Sequence, residues 1–162
     1  MAMRLLMLLS FLLAGIILVP SGAHALEMPG KLAMDRATYF ATQQLYLGWA
    51  LFGAPIAAKI LIDVTLGVIL RKTHRAAAWA AWLSGGLVAV GLAVFFLRVQ
   101  PANVATANWS TQPTSWQALR AQWEYGHLAI ATLTALAFVA TGAAAILAMR
   151  PAKAQAAPIA SR

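Results

Sequence analysis

Hydrophobic and polar positions alternate on a coarse scale along this chain. Uncharged runs cover residues 5–26, 37–58, 76–97, 99–119 and 125–149. A bilayer span needs about 20 mostly apolar residues at a rise of ~1.5 Å each. The run 99–119 does not qualify, because it carries Pro101, Pro113, Asn103, Asn108 and three glutamines; it reads as an outer loop covering 99–125. The other runs predict helices near 4–25, 41–70, 76–98 and 126–149. Short links between them predict an all-α membrane protein, a four-transmembrane-helix up-down bundle over residues 1–149. The alanine- and proline-rich remainder, 150–162, is expected to be a disordered cytoplasmic tail. Ser84-Gly85-Gly86, Gly91 and Gly142 are the small residues that would let neighbouring helices approach closely.

Composition fixes the solvent. Of 162 residues, 62% are hydrophobic and 10% charged, against roughly 25% charged in soluble domains. A soluble fold and a disordered chain are both excluded. The net charge of +8 suggests nucleic acid until the charges are placed. Arg4, Arg71, Lys72, Arg75, Arg150, Lys153 and Arg162 fall on one side of the predicted membrane, and Lys31, Arg36, Arg98 and Arg120 on the other. That bias reads as topology, not as a nucleic-acid surface. It puts both termini in the cytoplasm of a multi-pass protein, which we expect in a bacterial inner membrane. The chain has no cysteine, which removes disulfides, thiolate metal sites, iron–sulfur clusters and covalent haem. The first run has a second reading: Arg4, the apolar stretch, Pro20 and Ala23-His24-Ala25 also fit a cleavable secretory signal.

Few residues carry chemistry. Lys59 and Asp63 share a helix face deep in the second span, beside Pro55. An intramembrane pair of this kind serves either a proton or ion path or simple mutual neutralisation. His24 and Glu27 are three apart where the first span emerges, before Pro29, which is expected to end that helix. His127 begins the last span at a similar depth. Two imidazoles and a carboxylate form the minimum facial metal set, and His24 with His127 would also suit a b-type haem. Hydrogen bonding to backbone or water is the plainer alternative for both. His74 reads as a solvated loop residue. In the outer loop, Ser115 is placed to cap a short interfacial helix presenting Trp116, Leu119, Trp123 and His127 along one side. Arg120 and Glu124 are spaced to pair on another side. The tryptophans either anchor that helix at the interface or cover a pocket containing Asn103, His24 and Glu27.

At these residues the chain resembles the anthrone oxygenase-like family of small four-helix membrane proteins, most of whose bacterial members have no assigned function. The first matching block is Ala23-His24-Ala25-Leu26-Glu27-Met28-Pro29-Gly30-Lys31, followed by Tyr39, Gln44, Tyr46 and Gly48-Trp49. The second is Pro101-Ala102-Asn103, Asn108-Trp109, Trp116 and Trp123-Glu124-Tyr125-Gly126-His127. The resemblance implies that the first helix is retained and that Glu27, Lys31, Asn103, Trp123 and His127 share one site. Fungal relatives oxygenate anthrone-type polyketides without a metal or flavin. Lys59 and Asp63 lie outside the pattern.

Residues and resemblance together give an expectation. His127 would act as base or ligand, Glu27 as its charge partner and Asn103 as a hydrogen-bond donor. His24, Lys31, Tyr39, Trp49, Trp109 and Trp123 would contact an apolar or aromatic small molecule on the extracytoplasmic face, in an oxidoreductase-like site. No cofactor is expected, although a haem or metal on His24 and His127 stays open. The alternative is a non-enzymatic membrane subunit or scaffold that packs on the bilayer and a partner or second copy. Fold alone does not decide between them.

Overall fold

A computed structural model describes residues 2–150. Six α-helices follow in order: α1 (Ala2–Ala33), α2 (Arg36–Gln43), α3 (Gly53–Leu70), α4 (Arg75–Val94), α5 (Gln100–Ala105) and α6 (Trp116–Ala148). Four stretches are long and apolar enough to cross a membrane: Ala2–Ala33, Trp49–Leu70, Arg75–Ala105 and Trp116–Ala148. The packed pairs are α1–α3, α3–α4, α4–α6 and α6–α1. That is the cyclic order of an up-down bundle, and among the described residues no strand occurs.

The element boundaries depart from the sequence expectation in four places. Helix α1 does not end at residue 25 or at Pro29; it runs to Ala33 with Pro20 and Pro29 inside. Each proline removes one backbone bond, but lipid offers no alternative partner, so the remaining ladder persists. The second span does not begin at 41. Residues 36–43 form the separate helix α2, and 3₁₀ turns at Gln44–Tyr46 and Trp49–Phe52 follow. Gly48, at φ +88°, makes the reversal between those turns in a conformation that a Cβ disfavours. The third span does not stop at 98. A π turn at Phe95–Val99 carries it into α5, where Pro101 sits in the first turn and needs no N–H partner. The proposed interfacial helix is not separate either, because α6 is one helix of 33 residues. Ser115 precedes it without making a side-chain cap. Of the predicted tail 150–162, residues 151–162 lie outside the described residues.

At ~1.5 Å per residue, α1 and α6 are each roughly 50 Å long, well beyond the ~30 Å hydrocarbon layer. Their excess, with α2 and α5, builds a cap at the His24 end of the bundle. Arg120 closes the end of α1 by donating to the carbonyls of Met34 (2.8 Å) and Lys31 (3.4 Å), a favourable place for a cation. Arg120 therefore does not pair with Glu124 as the spacing suggested.

Deeper in the bundle, midway along the span Trp49–Leu70, one polar knot ties all four spans together. Lys59 and Asp63 are buried and in direct contact. Lys59 Nζ donates to Ser84 Oγ (2.9 Å) and Thr141 Oγ1 (3.1 Å), with Ser10 Oγ at 3.3 Å. Ser10 Oγ donates to Asp63 Oδ1 at 2.6 Å. Each span thus supplies one or two of the five residues, and the charge pair is neutralised and hydrogen-bonded, as burial in lipid demands.

Candidate functional site

A cavity of about 660 Å³ opens inside the bundle at the His24 end. Its floor is Ile17, Val88 and Thr134. Its upper wall holds His24, Gln43, Trp109, Trp123 and His127, while Tyr46, Trp49 and Phe52 lie along the chain that links α2 to α3. The volume falls within the ~300–1,000 Å³ range of small-molecule sites. Among the described residues its lining contains no Asp, Glu, Lys or Arg.

The roof is aromatic. Trp109, Trp116, Trp123, Tyr39 and Phe40 form one buried cluster. Trp109 reaches it through a turn in which Ala107, Asn108 and Trp109 all have positive φ (46°, 55° and 64°). Such backbone is strained for residues with a Cβ, at about 1–2 kcal/mol each. The hydroxyl of Thr106 holds the turn, donating to the Ala102 carbonyl (2.8 Å) and accepting from the Trp109 amide (3.0 Å). Asn103 joins the two indoles: its Oδ1 accepts from Trp123 Nε1 (2.9 Å) and Trp109 Nε1 (3.1 Å). Two donors on the oxygen fix the side-chain amide, which leaves its NH₂ as the group to offer elsewhere.

His24 and His127 stack with ring centroids 4.1 Å apart and planes tilted by 36°. Trp123 and Tyr46 flank them, Trp123 lying 4.1 Å from His127 and Tyr46 4.6 Å from His24. Nδ1 of the buried His24 has no hydrogen-bond partner among the described residues, nor has either amide atom of the buried Gln43. Buried polar atoms are rarely left so. Axial haem ligation places an imidazole nitrogen ~2 Å from the metal on each side of a planar macrocycle. Rings in face contact do not fit that arrangement. Among the described residues no group of three or more His, Asp or Glu is placed to hold a metal ion.

The charged residues expected at the site stand behind its wall. Glu27 is exposed and accepts a hydrogen bond from the Tyr46 hydroxyl. Lys31, buried, lies 3.8 Å from Glu27 and 3.1 Å from the buried Glu124. Its ammonium also sits over the rings of Trp123 (4.8 Å) and Tyr46 (5.1 Å). Tyr39 donates to Glu124 at 3.0 Å. Burial first, and then the neighbouring Glu124 carboxylate, push the Tyr39 phenol upward; burial and the bond to Glu27 do the same for Tyr46. Both phenols therefore stay protonated and serve as donors. Lys31 alone meets both carboxylates, Glu27 and Glu124, while Arg120 holds the end of α1, and together these contacts brace α1 against α6.

Of the expected residues, His24, Trp49, Asn103, Trp109, Trp123 and His127 line the cavity. Glu27, Lys31 and Tyr39 do not, and Lys59 with Asp63 belongs to the distant knot. Glu27 is not the charge partner of His127, since among the described residues no carboxylate pairs with either imidazole. Gln43 was missed. Its signal was a glutamine on the same face as Tyr39 and Phe40 in the short helix α2, hidden while residues 41–48 counted as part of a span. Comparisons with protein-family models, with curated proteins and with solved structures give no match to this chain.

Proposed function

We propose that this multi-pass membrane protein binds a neutral, apolar or aromatic small molecule in the cavity beneath its Trp109–Trp123 roof. The observation that carries this reading is the lining itself: aromatic and aliphatic walls, no formal charge, and the polar atoms of Asn103 and His127. An uncharged ligand with one hydroxyl or carbonyl would satisfy those atoms, and the apolar walls would repay desolvation of the rest. The resemblance to the anthrone oxygenase-like family supports an aromatic ligand. It also supports oxidoreductase-like chemistry in which His127 takes a proton from a phenol-like group. The excess of basic residues at the Arg71 end supports a cytoplasmic location for both termini, and hence an extracytoplasmic cavity in a bacterial inner membrane.

Titration of the full chain in lipid nanodiscs with 1-naphthol, followed by tryptophan fluorescence, tests the reading. Saturable quenching is expected. Gly91→Leu, which projects a side chain into the cavity, should abolish it. Linear quenching that is the same in both proteins would overturn the proposal and favour a non-enzymatic subunit or scaffold.

A further inference from the structure

The path into the cavity is written in how α3 and α4 diverge. Near the Arg71 end the two helices touch closely: a Cβ on Gly67 would fall 2.0 Å from Trp82 Nε1, and one on Gly85 3.0 Å from Asp63 Cβ. Toward the cavity the contact opens. Gly53 on α3 has nothing within 4 Å of an added Cβ, and Gly91 on α4 meets a methyl of Ile130 on α6 at 3.9 Å and no atom of α3. Phe52 and Ile56 line the cavity on one side of this wedge, and Leu92 and Phe96 on the other.

The rim of the wedge is apolar and faces outward. Phe96 is 60% exposed and Leu47 65% exposed, and both also line the cavity. Leu51 and Leu97, beside them, are exposed too. The span Trp49–Leu70 has 22 residues, about 33 Å, which matches the hydrocarbon thickness. Ile56 therefore lies roughly 10 Å inside the Trp49 edge, at the depth of lipid chains rather than of water. Above the cavity, buried Tyr39, Phe40, Trp109 and Trp116 pack into an aromatic cluster, and exposed Asn108 forms part of the rim.

We propose that the cavity loads from the bilayer through the gap between Phe52 and Ile56 on one side and Leu92 and Phe96 on the other. Its ligand is then a lipid-soluble, uncharged amphiphile that reaches Asn103 and His127 with a hydroxyl or carbonyl end. This rests on the binding reading above and adds the route and the ligand's phase. A charged or strongly hydrated molecule is disfavoured by the route as well as by the uncharged lining, because a formal charge is costly within lipid.

The test uses the full chain in phosphatidylcholine vesicles with hexadecanol carrying a mid-chain diazirine. Irradiation followed by peptide mass spectrometry should label Ile130 or Thr134 inside the cavity, as well as outward-facing Leu136 and Val139. Cavity labelling should be competed by 1-naphthol and lost in Gly53→Leu and in Phe96→Trp. Labelling of Leu136 should persist in both variants, which reports that they remain inserted and folded. If only outward-facing residues are labelled while 1-naphthol still binds, the lateral route is wrong and the binding site stands. If Asn108→Trp, at the exposed polar rim, removes cavity labelling while the portal variants do not, entry is from water and the proposal is overturned. If neither probe reaches the cavity, both readings fall.

Discussion

His24 and His127 meet ring to ring at 4.1 Å, although they lie on different helices and 103 positions apart in sequence. Their faces are used in packing, and the polar edges are left for a ligand. His127→Phe should keep the packing and lose the edge. We expect its thermal midpoint to fall by only a few degrees, a change of under ~1 kcal/mol. Its 1-naphthol affinity should fall about tenfold, or ~1.4 kcal/mol. Parallel melting and titration check this.

Lys59 and Asp63 make the opposite prediction. Removing one member leaves an uncompensated charge in the bundle, so Lys59→Ala should destabilise by roughly 3–5 kcal/mol. The double variant Lys59→Met with Asp63→Leu should recover most of that loss, because a well-packed apolar pair replaces the ionic one. Thermal unfolding in a mild detergent measures both. Equal losses in the single and double variants would contradict the account of the knot.

Glycines on the bundle are not equivalent. A Cβ on Gly67 would overlap the Trp82 indole, whose Nε1 donates to the Val64 carbonyl at 3.3 Å. Gly67→Ala should expel that ring and cost about 1–3 kcal/mol. Gly142 and Gly86 have nothing within 4 Å of the added atom. Alanine there should be neutral or stabilising by up to ~1 kcal/mol. Melting temperatures of the three variants test the ranking.

Helix α1 runs unbroken through Ala23, His24 and Ala25, where the sequence also fits a cleavage site. It supplies Ser10 to the knot, His24 to the cavity and Lys31 to the network behind the cavity wall. Loss of its first 25 residues would strip Asp63 of the Ser10 hydroxyl and remove half of the imidazole pair. The protein purified from membranes is therefore expected to retain this segment. Intact-mass measurement decides it, a species beginning near Leu26 being the contrary result.

The number of spans was legible because lipid imposes a simple demand: long uncharged apolar runs have no other place to go. The boundaries were not legible because proline means less here than in water. Pro20, Pro29 and Pro101 sit within helices or in a first turn, so the breaks expected at 25 and 98 are absent. The imidazole pair was readable as a shared depth on two helices, but its stacked geometry was not. Arg120 and Glu124 show the limit of spacing arguments. Four residues apart on one helix, each finds a better partner on α1, since tertiary contacts that close a helix end or pair buried charges outweigh an i,i+4 pair worth ~0.2–0.5 kcal/mol.

Ile17 and Val88, on the cavity floor, pack with Ala137 into a buried apolar layer facing the knot around Lys59. From Thr134 at the floor to Thr141 in the knot is seven residues of α6, or about 10 Å. Above this layer lies a chamber lined by two imidazoles, and below it the lysine and aspartate at the middle of the span Trp49–Leu70. The three side chains of this layer offer no hydrogen-bonding group between them. A membrane holding many copies of this protein should keep its proton gradient, because the plug withholds the continuous hydrogen-bonded chain that a leak requires.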